Sequence, residues 1–146
     1  RSRMTWAVTS QPHNGRMRQQ YHFRRDARGL LAWDVHRLVR LARELPVQRV
    51  PLHQIRELNE AYWFSDAHPT TQDIIDHMRL VQEADLAYPI ILCPDGRVMD
   101  GMHRVSKAVL NGDADIAAVR LTAMPEPDYV NVEPDDLPYD DPEHPS

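Results

Sequence analysis

The sequence predicts a small α/β (α+β) domain with an amphipathic helix at its N-terminal end. Three observations predict it. Leu30, Leu31, Trp33, Val35, Leu38, Val39, Leu41 and Leu45 recur at helical spacing, which predicts a helix over 29–45. Pro89-Ile90-Ile91-Leu92-Cys93 is an apolar strand, Pro94-Asp95-Gly96 a turn, and Arg97-Val98-Met99-Asp100 a returning strand, so 89–100 reads as a hairpin. Gly101 follows at once, and Met102 to Leu110 reads as a helix with Asn111-Gly112 as its C-terminal stop.

Each remaining element has a local reason. Residues 1–28 are polar and Arg/Gln-rich without a clean period, and read as a basic N-terminal arm. Pro46 ends the first helix. Val47 to Leu52 reads as a short strand, and 53–69 as irregular with a helical turn at Gln54 to Asn59. Thr70 with Asp73 three residues later is a capping-box start for a helix running to about Glu83. Ile116 to Leu121 is a last strand. The domain therefore spans 29–124. Residues 125–146 form an acidic tail holding six of the twelve prolines, extended unless it docks on something.

Composition narrows the function classes. The chain has 146 residues and a net charge of −5. The tail holds eight acids and no Lys or Arg, so residues 1–124 set 17 bases against 14 acids. Residues 1–45 hold ten arginines against three acids. This polarity keeps polyanionic partners open despite the overall sign. The longest apolar run, Ile90 to Cys93, is too short to span a bilayer, and no apolar leader is visible, so no membrane partner is expected. A lone Cys93 makes neither an internal disulfide nor a cysteine zinc site, which suits a cytoplasmic setting.

The segment richest in chemistry is Asp100-Gly101-Met102-His103-Arg104, between a strand and a helix. A helix start offers free N–H groups and the positive end of the dipole, and glycine lets an anion come close. Arg104 has the fork for phosphate oxygens, His103 has a donor or a mobile proton, and Asp100 has the carboxylate for Mg²⁺. The junction reads as a phosphate site.

From Val47 to Leu121 the chain resembles the ParB/sulfiredoxin superfamily. The residues that carry this are VPLHQI, the helix, YPIILCPDGRVMDGMHRVSKAVLNG and the closing strand, roughly half the chain. The resemblance implies a small mixed sheet with flanking helices and a nucleotide (ATP, ADP or CTP) with its phosphates on Gly101, Met102, His103 and Arg104. Sulfiredoxins carry a nucleophilic Cys at this turn, where Met102 stands. Partitioning ParB proteins carry a Gly-Glu-Arg-Arg turn and a DNA-reading helix-turn-helix domain, which the acidic, Pro-rich residues after Leu121 do not fit. DGMHR differs at one position from the Asp-Gly-His-His-Arg turn of the free serine kinase branch. By that resemblance Glu60 is the base toward a small-molecule acceptor, Asp100 positions metal or acceptor, and His103 and Arg104 hold phosphates, the requirements of a phosphotransferase or NTPase.

Two other classes stand beside this one. The Arg-rich segment 1–45 suits a nucleic-acid-binding or nuclease-like module. A non-catalytic domain that uses its helix and arm to form a homodimer is the third. Tyr62 and Trp63 read as core residues or a base-stacking platform, and Ser65, Asp66 and His68 as a surface turn or pocket lining. Asp73 and His77 share a helix face but lack further metal ligands in sequence.

Overall fold

A computed structural model describes residues 12–13, 16–17, 20–64 and 68–139. The chain is a mixed α+β fold, as the sequence predicts. Two short strands, β1 (Pro12–His13) and β2 (Arg16–Met17), pair with each other. A three-stranded antiparallel sheet has the order β3 (Tyr21–Asp26), β4 (Gly29–Asp34), β9 (Tyr129–Val130). A four-stranded mixed sheet has the order β5 (Gln48–Pro51), β8 (Asp115–Arg120), β6 (Ile90–Leu92), β7 (Val98–Asp100). Here β6 and β8 are parallel and the other pairs antiparallel, so β7 is an edge strand. The helices are α1 (Val35–Ala42), α2 (Thr71–Glu83) and α3 (Met102–Leu110).

The mixed sheet is apolar on both faces, and its residues alternate between two cores. Ile90, Leu92 and Val98 pack with Met102, Val105 and Ala108 of α3. Ile91, Cys93 and Met99 point the other way, to Leu31 and Trp33 of β4 and Leu38 of α1. Lys107 of α3 donates to the carbonyls of Gln82 and Ala84 at the end of α2, which fixes the two helices side by side.

Local signals hold where they are strong. Thr70 and Asp73 form the reciprocal capping box, with Thr70 N donating to Asp73 Oδ2 at 2.9 Å and Asp73 N donating to Thr70 Oγ1 at 3.1 Å. The 89–100 hairpin forms, and α3 starts at Met102. The irregular stretch carries two 3-10 turns, Leu52–Gln54 and Arg56–Asn59.

The helix expected over 29–45 is corrected. Residues 29–34 are strand β4, and only 35–42 are helical. Leu31 and Trp33 fill one core while Ala32 fills another with Tyr21 and Leu137. A strand buried on both faces shows no polar alternation, so its leucines ran into the helical pattern behind them. Asp34 marks the true start, its carboxylate accepting from His36 N at 2.9 Å.

Within the arm expected over 1–28, residues 21–26 form strand β3, with Tyr21 and His22 buried in the three-stranded sheet. Residues 1–11, 14–15 and 18–19 lie outside the described residues. The acidic tail docks. β9 pairs with β4, Leu137 is buried beneath Tyr21, and the Tyr21 hydroxyl donates to the Pro138 carbonyl. Asn131 donates to Arg28 O and accepts from Leu30 N, and Trp33 Nε1 donates to Pro125 O at 2.8 Å. Gly29 is required at that point, since a Cβ there would lie 1.8 Å from Asn131 Oδ1.

The opposite charges of front and tail thus meet within the same molecule. Arg37 pairs with Asp128 at 3.1 Å, and Arg28 reaches Glu126 at 3.6 Å. Among the described residues no helix is long and apolar enough to cross a membrane.

Candidate functional site

β7 delivers Asp100 to the start of α3, and Gly101 is the N-cap at φ +110° with no side-chain cap bond. Packing demands this glycine: a Cβ would lie 2.6 Å from Ile90 Cγ2. Met102, His103 and Arg104 follow, all buried.

The guanidinium of Arg104 faces inward. It donates to the carbonyls of Tyr88 (2.9 Å) and Pro89 (2.8 Å) and to Asp100 Oδ2 (2.8 Å). The expectation that Arg104 forks onto phosphates is therefore corrected. At 2 % exposure it is spent on tying β6, β7 and α3 together. Asp100, 1 % exposed, is its ion-pair partner. Its Oδ2 is held by Arg104, so a cation at that oxygen would compete with the guanidinium. No group of three or more His, Cys, Asp or Glu suited to a metal occurs among the described residues.

His103 is stacked rather than poised. Its ring lies 4.6 Å from Trp63 at 15°, and its Nε2 shares a 2.8 Å hydrogen bond with His77 Nδ1. Trp63 also covers His77, at 4.5 Å. Burial pushes His103 down to about 3, helped by the neighbouring His77 and Arg104. Burial also pushes His77 down to about 4, against the pull of Asp73 and Asp76. Both rings are neutral near pH 7, so His103 would meet a phosphate as a neutral donor and not as a cation. His103 Nδ1 is buried without a hydrogen-bond partner among the described residues. The Asp73 carboxylate serves the helix cap, so Asp73 and His77 form no metal pair.

Glu60 lies at the opposite end of β7 from Asp100. Arg97 Nη1 donates to both its oxygens at 2.7 Å, and the carboxylate is half-exposed. Sequence reasoning passed over the buried carboxylate beside it. Glu57, 4 % exposed, accepts Val98 N through Oε2 at 2.9 Å, while Arg97 approaches the same oxygen at 3.7 Å. Nothing in the Arg56-Glu57 spacing marks this residue, because its role depends on the open edge of β7. A cavity of about 340 Å3 opens there, lined by His22, Arg24, Glu57, Glu60, Tyr62 and Arg97. Burial and the charges of Asp100 and Glu57 push the Tyr62 hydroxyl above its ordinary value, with Arg24 opposing. Tyr62 lines the cavity beside the strand that ends at the turn before α3. Its neighbour Trp63 covers that turn. Ser65 and Asp66 lie outside the described residues, and His68 is exposed.

Compared with known proteins, the chain matches no family model, no curated protein and no solved structure.

Proposed function

We propose that the chain is a nucleotide-binding domain of ParB/sulfiredoxin type, holding a phosphate against the first turn of α3. The observation that carries this reading is the strand–glycine–helix junction. Its first helical turn has no side-chain cap, and the buried His103 Nδ1 beside it has no hydrogen-bond partner among the described residues. Backbone N–H groups and the helix dipole supply the attraction there. Arg104 is a positioning residue, holding the turn through Asp100 and the two carbonyls. Trp63, stacked on His103, forms the cover that a ligand moves. The half-exposed Glu60 is the base toward a small-molecule acceptor if the domain transfers phosphoryl groups. The proposed setting is cytoplasmic.

Calorimetry with ATP, ADP and CTP, with and without Mg²⁺, tests the reading. At least one should bind and change Trp63 fluorescence, identified by loss of the signal in Trp63→Phe. Glu60→Gln should keep binding and lose any phosphoryl transfer. No binding to any of the three by the folded protein overturns the reading. Of the arginines of 1–45, Arg28 and Arg37 face the chain's own tail.

A further inference from the structure

We infer that the pocket beside the 94–96 turn is a binding site for a small organic acid, with Arg56 and Arg120 forking its carboxylate and its carbon body lying on an apolar floor. The pocket lies at the opposite end of β7 from the α3 turn. It shares no lining residue with that turn or with the cavity that holds Glu60, so it stands apart from the nucleotide reading above.

Three elements bring arginines to one concavity of about 360 Å3: Arg49 on β5, Arg56 on the second 3-10 turn and Arg120 at the end of β8. Arg49 is already matched, its Nη2 lying 2.6 Å from Asp115 Oδ1. Arg56 and Arg120 are held differently. Arg56 Nη2 donates to Asp95 O, and Arg120 Nε donates to Pro94 O at 3.1 Å. Two guanidiniums are thus fixed to successive carbonyls of one turn. Neither pairs with a carboxylate among the described residues. Asp95, the one acid in the lining, meets Arg56 through its carbonyl and not its carboxylate. Like charges anchored at one pocket repel, and an anion between them offsets that cost. Gly96 leaves room for the arrangement, since a Cβ there would lie 3.0 Å from Arg120 Nη2. The remaining N–H groups match the two oxygens of a planar carboxylate. Gln48 and Gln54 add amides to the rim, and the buried Ile55, Leu92 and Ala118 form the floor. That floor, and a volume larger than one inorganic oxyanion fills, favour an organic acid over free phosphate.

The test is calorimetry of the full chain, at matched ionic strength, with succinate, glutarate, citrate and benzoate, and with inorganic phosphate for comparison. At least one organic acid should bind, and more tightly than phosphate. Arg56→Gln and Arg120→Gln should each weaken it about tenfold or more. Both side chains are exposed, so the two variants should keep the parent's circular dichroism and unfolding midpoint. Arg79→Gln, which removes an exposed arginine elsewhere, should leave the affinity unchanged. Amide shifts in nuclear magnetic resonance should concentrate at Asp95, Gly96 and Arg120 and spare Gly101 to Arg104. Failure of all four acids to bind overturns the inference. So does binding that survives both arginine variants, binding no tighter than that of phosphate, or shifts confined to Gly101–Arg104.

Discussion

Lowering the pH from 7.5 to 5.5 should destabilise this fold strongly, through three histidines. His22, His77 and His103 are 4 %, 4 % and 2 % exposed. Their pKa values stand at about 3, 4 and 3, with burial the main cause in each. In the unfolded chain an imidazole titrates near 6.5. The folded values are depressed, so the unfolded chain binds more protons between about 6.5 and 4. The stabilisation is present above 6.5 and is lost as pH falls through that window. At pH 5.5 each group has lost roughly 1.4 kcal/mol relative to pH 7.5, and the three together roughly 4 kcal/mol. They add because none of the three is protonated in the folded state at pH 5.5. Ordinary carboxylates titrate below about pH 5.5, so a loss between pH 7.5 and 5.5 reports on histidine. Against a typical stability of about 5–15 kcal/mol the effect is large. Urea unfolding followed by far-ultraviolet circular dichroism at pH 7.5, 6.5 and 5.5 measures it. With a slope of about 2 kcal/mol per molar the midpoint should fall by roughly 2 M. His22→Leu should keep about two thirds of that fall. A midpoint constant to within about 0.5 M would refute the claim that these rings are buried and neutral.

Three further outcomes follow from the geometry. Arg104→Ala should cost roughly 3–5 kcal/mol in urea or thermal unfolding, since it strands the buried Asp100 and two carbonyls; a loss under about 1 kcal/mol would contradict the inward placement of Arg104. Gly101→Ala should cost about 1–3 kcal/mol because a Cβ meets Ile90 and the backbone stands at φ +110°; a neutral result in thermal unfolding would contradict that backbone conformation. Asn131→Ala should speed amide exchange in 125–139 while leaving α2 and α3 protected, since it removes bonds to Leu30 N and Arg28 O; equal change everywhere would show that the tail is not a separate docked unit.

The chain's own residues determined the elements whose signals are local. The Thr70/Asp73 box starts α2, the Pro94-Asp95-Gly96 turn closes the hairpin, and Gly101 opens α3, each acting on neighbours a few residues away. The turn at 100–104 was legible as a place, and the i, i+4 relation of Asp100 and Arg104 was visible in it. Which way Arg104 points was not, because the choice between a ligand's phosphate and the carbonyls of Tyr88 and Pro89 depends on how β6 lies against α3. β4 was misread because tertiary burial of both its faces erased its period. Glu57 and Arg24 lie far apart along the chain, and only the packing of β3 beside the open edge of β7 brings them to one cavity. The charge polarity was plain in the sequence. Only the folded chain decided that the acidic tail answers its own basic front, because β9 carries it back onto β4, where Arg28 and Arg37 meet Glu126 and Asp128 at short range.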